Sequence, residues 1–353
     1  MDTIVIGVLA LIAIAGAAWF GPRVRIAAPL LLVVVGIVVS LWPATPEFII
    51  DPEWILLGVL PPLLYSAAVN MPTMEFRRDF AAISGLAVVL VVITSFAVGW
   101  LMSQVIPGID FATGLALGAI LSPTDAVATS IVKRLGVAPR VVVVLEGESL
   151  LNDASALVLL RTAIGASAAS ISLLHLSADF LYAVGVAVII GAIVGMANLR
   201  IRQHAPDAVV NTALSLTIPF LASIPADIMG ASGLVAAVVA GLVTGFGAPR
   251  FLPPRYRLSD QQNWRTIEFI LEGAVFLIMG LELDWILDDV RVDDFGVPLA
   301  VRYAAVALFT VLVIRVLYVI PLIYFFRSIS RRADDFQLML QHRFLDPIAD
   351  LPI

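Results

Sequence analysis

The sequence contains no cysteine, and only three of its 353 residues are histidine. The absence of cysteine excludes disulfide frameworks, thiolate metal sites and cysteine nucleophiles. Charged residues are also scarce, at 14% of the chain, whereas hydrophobic residues make up 61%. The mean hydropathy of +1.03 lies far above the range of soluble globular domains. This composition predicts an all-α polytopic membrane protein, and it gives no indication of nucleic-acid binding.

Long apolar runs, divided at their proline, glycine and charged breaks, predict about eleven membrane-spanning helices. The first run has Asp2 where a cleaved signal peptide would have basic residues, so we predict that it is retained as a helix. The predicted segments are 3–20, 26–42, 52–70, 80–105, 111–132, 141–162, 178–199, 208–224, 229–246, 266–283 and 298–326.

Positive charge is distributed unevenly between the predicted loops. Most of the 21 Lys and Arg residues lie in alternate loops, whereas the intervening loops are mainly acidic. Basic residues collect on the cytoplasmic side of membrane proteins. The pattern therefore predicts a multi-pass membrane protein with the N-terminus outside and the C-terminus in the cytoplasm.

The fifth predicted helix contains an unusual polar break. Pro123 lacks a backbone donor and therefore frees a carbonyl just before Thr124 and Asp125. Broken helices with free carbonyls are typical of cation sites in transporters. The alternative is a simple proline kink with Asp125 paired to a neighbouring donor, and the residues alone leave both readings open.

The sixth predicted helix has three carboxylates, each of which needs a partner, water or a bound cation at membrane depth. At about 100° per residue, its polar side chains separate into two stripes that are displaced by about 100°. The first stripe holds Glu146, Ser149 and Asp153, and the second holds Glu148, Asn152 and Ser155. Glu146 lies nearest the cytoplasmic end and is predicted to reach the headgroups. One carboxylate can thus bind ions while another serves structure.

Arg315 is a permanent cation inside the last apolar run, so it requires a carboxylate partner. Glu148, which lies off the Asp153 stripe, is the first candidate for a structural ion pair. Glu268 and Glu272 in the tenth helix are predicted to be packing or anchoring groups rather than ion ligands.

Carboxylates, hydroxyls and free carbonyls are hard oxygen donors, which suit Na⁺, K⁺, Li⁺ or a proton. A carboxylate that holds either a proton or an alkali cation, but not both, couples the two fluxes when it faces alternate sides. No cofactor is predicted; the transported ions are the substrates.

Three motifs resemble one known family. SPTDAVAT at 122–129, EGESLLNDASALV at 146–158 and LPPLLYSAAVNMP at 60–72 are similar in order and spacing to the monovalent cation/proton antiporter family, in its bacterial sodium/proton exchanger branch. The resemblance covers nearly the whole chain. It implies exchange of alkali cations for protons across the bacterial plasma membrane, with Na⁺ as the first expected cation and K⁺ or Li⁺ as alternatives, in pH and cation homeostasis. It also implies that the protein is not an enzyme.

The family resemblance also implies an architecture. It implies an inverted-repeat fold with a discontinuous crossing helix, a mobile core and a dimerisation domain, assembled as a homodimer. On this sequence the transmembrane domain would span 1–332, with core helices at about 52–162 and 266–326 and dimerisation helices at about 3–42 and 178–246. Residues 333–353 would form a short cytoplasmic tail.

The resemblance assigns roles to individual residues. Asp153 would bind the cation and the proton, with Asn152 as its partner in an Asn-Asp pair that the family associates with electroneutral exchange. Asp125 and the backbone of Thr124 would shape the crossing, and Ser149 would supply a hydroxyl ligand. The alkali cation would thus bind to Asp153, Ser149 and Thr124, and Glu148 with Arg315 would be the structural ion pair.

Two features depart from the family pattern. Many relatives have an acidic residue where this chain has Ser66, so accessory coordination would come from Ser66, from water or from Asn70. The family also continues with two further helices that this sequence lacks. We therefore expect a fragment, a truncated product or a degraded gene copy.

Two alternatives to transport remain open at this stage. Asp125 and Asp153 lie on neighbouring predicted helices and would be placed to form the dyad of an intramembrane aspartyl protease. Neither aspartate has the Gly-x-Gly-Asp context expected of such proteases. The other alternative is a transport-dead antiporter that acts only as an assembly partner.

Overall fold

The computed structural model describes residues 2–42, 51–123, 136–167, 173–283, 286 and 296–340. Within these ranges the chain forms eleven helices, which we number in chain order. They are α1 Asp2–Val24, α2 Ala28–Ser40, α3 Trp54–Asn70, α4 Thr73–Val105, α5 Phe111–Leu121, α6 Pro139–Ser167, α7 Leu173–Arg202, α8 Ala208–Ile228, α9 Gly233–Phe251, α10 Pro254–Leu281 and α11 Gly296–Leu340. The predicted all-helical class and the predicted number of helices are confirmed.

Six of the eleven described helices are long and apolar enough to cross a membrane by length and composition. They are α1, α4, α7, α8, α9 and α11. Three more, α2, α3 and α5, are apolar but shorter. The remaining two, α6 and α10, are long but contain carboxylates within their apolar stretches.

Several helices extend beyond the predicted segments, and three of the extensions affect the interpretation most. The structure begins α4 at Thr73 rather than at residue 80, and α10 at Pro254 rather than at residue 266. Hydropathy misses both starts because these turns contain charged residues on one face and buried residues on the other. At the other end of the chain, α11 continues to Leu340, past the predicted domain limit at residue 332.

In the described part of the chain, two helices contain wide π-helical turns, at Trp54–Val59 in α3 and at Gly85–Leu90 in α4. A π-turn interrupts the regular hydrogen-bond ladder and leaves backbone groups for other partners. In α4 the carbonyl of Gly85 accepts a hydrogen bond from the Tyr318 hydroxyl of α11, at 3.0 Å. The widened turn therefore provides an attachment point for α11.

The helices form two main sets of contacts. In the first set, α3 packs most extensively against α9, and α10 packs most extensively against α2. A second set of contacts joins α4, α5 and α6, and α11 packs on α4. The functional division into a mobile core and a dimerisation domain stays a prediction.

Glycines lie at the closest helix crossings. A Cβ atom built on Gly241 would stand 2.8 Å from the Tyr65 carbonyl oxygen, so α3 and α9 touch backbone to backbone. Three pairs of glycines at four-residue spacing also lie at such contacts. They are Gly114 and Gly118 in α5, Gly191 and Gly195 in α7, and Gly241 and Gly245 in α9. Small residues allow this approach, which improves packing in membrane helices.

Substitution of Gly36 by Ala tests the α2–α10 contact. The added Cβ would lie 2.5 Å from the Leu277 carbonyl oxygen and 2.8 Å from Gly280 Cα, both of them backbone atoms that cannot rotate away. Overpacking of this kind costs about 1 to 3 kcal/mol. We expect a lower thermal unfolding midpoint in detergent, followed by tryptophan fluorescence.

The matched control is Gly16→Ala in α1, where no atom lies within 4 Å of the built Cβ. This variant should be neutral or slightly stabilised, because Ala has the higher helix propensity. Equal midpoints for Gly36→Ala and the parent would show that the contact is looser than the structure indicates.

A buried carboxylate, Asp79, and a half-buried one, Asp227, form ion pairs with arginines near the ends of helices. Asp79 in α4 is 5% exposed and accepts hydrogen bonds from Arg140 Nε at 3.0 and 3.1 Å. The hydrogen bond to Asp79 raises the pKa of Arg140, which lies at the start of α6. At the opposite end of α6, Arg161 donates to Asp227 of α8 at 2.7 Å. Charge pairs thus hold α6 at both of its ends.

Candidate functional site

The central candidate residues lie together on α6. Glu148 and Asn152 are 1% exposed, and Ser149 is also buried, whereas Asp153 is half-buried. The helix is continuous through this region, so the two predicted stripes exist as separate faces. Asp153 and Ser149 share one face, and Glu148 and Asn152 share the other.

The structure brings Glu148 and Arg315 into contact. Arg315 Nη2 donates to Glu148 Oε1, and the exposed fractions of the two side chains are 25% and 2%. Tyr318, one turn further along α11, makes the bond to Gly85 described above. Arg315 and Tyr318 therefore attach α11 to α6 and α4, and the structural rather than transporting role of the ion pair stays a prediction.

The fifth helix ends close to its predicted break. α5 begins with Asp110 as its cap, which accepts a hydrogen bond from the Thr113 amide at 2.8 Å, and the hydrogen bonds from Thr113 lower the pKa of Asp110. The helix ends at Leu121, two residues before Pro123. Buried Ser122 donates to the Ala119 carbonyl at 3.1 Å. Thr124 and Asp125 lie outside the described residues.

The accessory residues contact the tenth helix. Ser66 is fully buried, and its Oγ donates to Glu268 Oε2 at 2.9 Å. The Asn70 side-chain amide donates to the Ser66 carbonyl oxygen at 3.0 Å. The sequence predicted a packing role for Glu268, and the structure adds a specific hydroxyl partner on α3.

A further buried polar cluster was not predicted from the sequence, because the predicted helix 178–199 ends before Arg202 and so places this residue in the following basic loop. Arg202 is fully buried at the end of α7, donates through Nε to Asn211 Oδ1 at 3.0 Å and pairs with Asp260 of α10. Thr212 also donates to Asp260, at 3.2 Å. The sequence feature that could have indicated this cluster is the pair of polar residues Asn211 and Ser215, which lie four residues apart on one face of α8. The cluster joins α7, α8 and α10 at one end of the bundle.

Comparison with known sequences identifies the family of this helical bundle. The family described as "Sodium/hydrogen exchanger, transmembrane" matches residues 7–342, which is nearly the whole chain. The chain belongs to the sodium/hydrogen exchanger family. The match spans Asp125 and Asp153, so both aspartates are part of an exchanger sequence. The intramembrane protease alternative is therefore not favoured.

Individual relatives agree with the family match. The uncharacterised Na(+)/H(+) exchanger YjcE of Escherichia coli (strain K12) is 34% identical over 274 residues, which cover 75% of this chain and 50% of that protein. The sodium, potassium, lithium and rubidium/H(+) antiporter of Bacillus subtilis (strain 168) is 29% identical, with 83% of this chain and 45% of that protein covered. The exchanger chain described here thus spans about half the length of these curated relatives.

The fold is also that of a solved exchanger. The structure of the sodium proton antiporter MjNhaP1 from Methanocaldococcus jannaschii at pH 8 matches with a TM-score of 0.66 and 21% sequence identity. The match covers 80% of this chain and 70% of the MjNhaP1 chain. The predicted antiporter-like fold is therefore confirmed, although Thr124 and Asp125, which follow the predicted break, lie outside the described residues.

Proposed function

We propose that this exchanger-family chain moves alkali cations, Na⁺ first and K⁺ or Li⁺ as further candidates, across the bacterial plasma membrane in exchange for protons. The observation that carries the proposal is the division of α6 into two faces. Glu148 contacts a permanent cation, Arg315, whereas Asp153 lies with Ser149 on a different face. The permanent positive charge of Arg315 balances Glu148. Asp153, on the other face, is therefore the carboxylate that we assign to the exchangeable cation and proton.

The mechanism follows from competition for Asp153. Its carboxylate, together with the Ser149 hydroxyl and the Thr124 backbone, would hold a dehydrated cation through hard oxygen ligands. Half-burial disfavours an uncompensated charge, so Asp153 would be either protonated or cation-bound whenever it crosses between the two sides. One site that carries either ion, but never both, gives exchange. Asn152 and Asp125 would shape the site around Asp153.

We further propose a homodimer with the N-terminus outside and the C-terminus in the cytoplasm. The alternation of basic loops supports this orientation. Support for a helix–helix interface comes from α7, whose outer face has exposed apolar side chains at Ile189, Ile193 and Met196. A second copy or lipid would cover such a face.

The function is tested with inverted membrane vesicles that hold an acidic interior. Addition of Na⁺, K⁺ or Li⁺ should dissipate the pH gradient, read as recovery of a quenched pH-sensitive dye, while choline should have no effect. The half-maximal concentration for each cation ranks the substrates.

Two results would contradict the proposal. One is a response to all three cations that equals the response to choline. The other is an equal response from vesicles without the protein. Retained dimer formation with no ion flux would instead favour the transport-dead assembly partner.

A further inference from the structure

The carboxylates of the described helices differ in how their charge is balanced. Four of them contact an arginine, as Glu148–Arg315, Asp79–Arg140, Asp227–Arg161 and Asp260–Arg202. Glu268 contacts a hydroxyl instead, that of Ser66. Within the described part of the chain, no Lys or Arg side chain lies within ion-pair distance of Glu268.

In the proposed orientation, with the end of α10 at the outer boundary of the hydrocarbon core, Glu268 lies within the membrane thickness. It precedes the outer end of α10, Leu281, by 13 residues, or about 20 Å at 1.5 Å per residue. The hydrocarbon core is about 30 Å thick, so Glu268 lies roughly 10 Å inside its cytoplasmic boundary. Ser66 lies one turn before the cytoplasmic end of α3, at a matching depth. A carboxylate at this depth requires a compensating cation or proton.

The hydrogen bond between Ser66 and Glu268 also determines how the serine hydroxyl is directed. A serine hydroxyl has one hydrogen to donate and two lone pairs to offer. Because Ser66 donates its hydrogen to Glu268, both lone pairs of Oγ remain available as ligands. Donation to a carboxylate further increases the negative charge on that oxygen. Ser66 Oγ and the Glu268 carboxylate together form the donor set that a hard monovalent cation prefers.

We propose that Glu268 and Ser66 form an additional binding position for the transported alkali cation, in the cytoplasmic half of the membrane between α3 and α10. This inference rests on the proposed exchange function. The position receives the cation from the cytoplasm before Asp153 does, so its loss weakens the capture of cytoplasmic cations while the exchange step at Asp153 is preserved.

The variant Glu268→Gln isolates the charge, because the amide oxygen can still accept the Ser66 hydrogen bond. In inverted vesicles, whose cytoplasmic face is accessible, we expect the apparent KM for Na⁺ to rise about fivefold while the maximal rate stays within about twofold. Glu268→Asp keeps the charge and should return the KM toward that of the parent. Ser66→Ala should raise the KM as Glu268→Gln does.

A double-mutant cycle tests whether the two residues act together. If they form one position, Glu268→Gln should have little further effect on the KM in a Ser66→Ala background. The matched control is Glu282→Gln, the same substitution at the outer end of α10, which should leave the KM unchanged. Unfolding midpoints close to that of the parent would separate a binding effect from a folding effect.

The outcomes distinguish this inference from the proposed function. Two results would contradict the additional cation position while leaving exchange through Asp153 intact. One is a KM for Glu268→Gln that equals that of the parent, and the other is an equal rise in KM when Glu268→Gln is made in the parent and in Ser66→Ala. If the parent itself shows no cation-driven response, or if Asp153→Asn responds like the parent, the proposed function fails and this inference fails with it.

Discussion

Asp153→Asn is expected to abolish cation-driven dissipation of the pH gradient, down to the background of vesicles that lack the protein. The amide has nearly the shape of the carboxylate, so packing around α6 should be retained. It neither carries the negative charge that a cation requires nor binds and releases a proton in the working pH range. The substitution removes both cation binding and proton binding, so neither a higher Na⁺ concentration nor a change of pH should restore exchange.

Ser155→Ala is a suitable control for the loss of Asp153. Ser155 lies two residues along the same helix, and its hydroxyl bonds to the Leu151 carbonyl of α6 itself, at 2.9 Å. This variant should therefore exchange ions at close to the parent rate. The assignment of Asp153 would be rejected if Asp153→Asn were folded and as active as the parent.

Arg315→Met is expected to have the largest effect on stability. It removes the contact of Glu148, whose side chain is only 2% exposed, and leaves a carboxylate in the interior without its guanidinium. Breaking a buried ion pair from one side costs about 3 to 5 kcal/mol. We expect a large fall in the unfolding midpoint and in the yield of folded protein, measured by fluorescence-detected gel filtration.

Replacement of both partners should be much less harmful. In the double variant Glu148→Met with Arg315→Met no charge is left unbalanced, so most of the lost stability should return. Arg302→Met, at an exposed position on the same helix, provides the single-arginine control. A folded double variant that no longer exchanges ions would contradict a purely structural role and would place the ion pair in the transport cycle.

Helix number could be predicted from the sequence because each membrane crossing requires its own apolar run. The starts of α4 and α10 could not be predicted in this way, since hydropathy detects only the part of a helix that lies in lipid. Thr73 and Pro254 begin turns with charged residues outside that region, and their helical state depends on buried contacts such as Phe76 and Tyr256.

The candidate site could be predicted only where its residues lie on a single helix, because the spacing along one helix fixes their relative directions. Rotation about α6 separates Glu148 from Asp153, and the need of Arg315 for a carboxylate then selects Glu148, which is the contact in the structure. Ser66 and Glu268 are 202 positions apart, and no local pattern connects them. The prediction for Arg202 was wrong because a basic residue at a helix end normally reaches solvent. Here Arg202 is buried and forms an ion pair with Asp260.

The π-turn at Gly85–Leu90 restricts how the gene for this protein can change in length. A π-turn holds about one residue more than a regular turn, so it shifts the preceding part of α4 by about 100° relative to an uninterrupted α-helix. Deletion of one codon here would favour a regular helix, yet it would turn Asp79 away from Arg140 and withdraw the Gly85 carbonyl from Tyr318. We therefore expect that the extra residue can be deleted only together with compensating changes in α6 and α11.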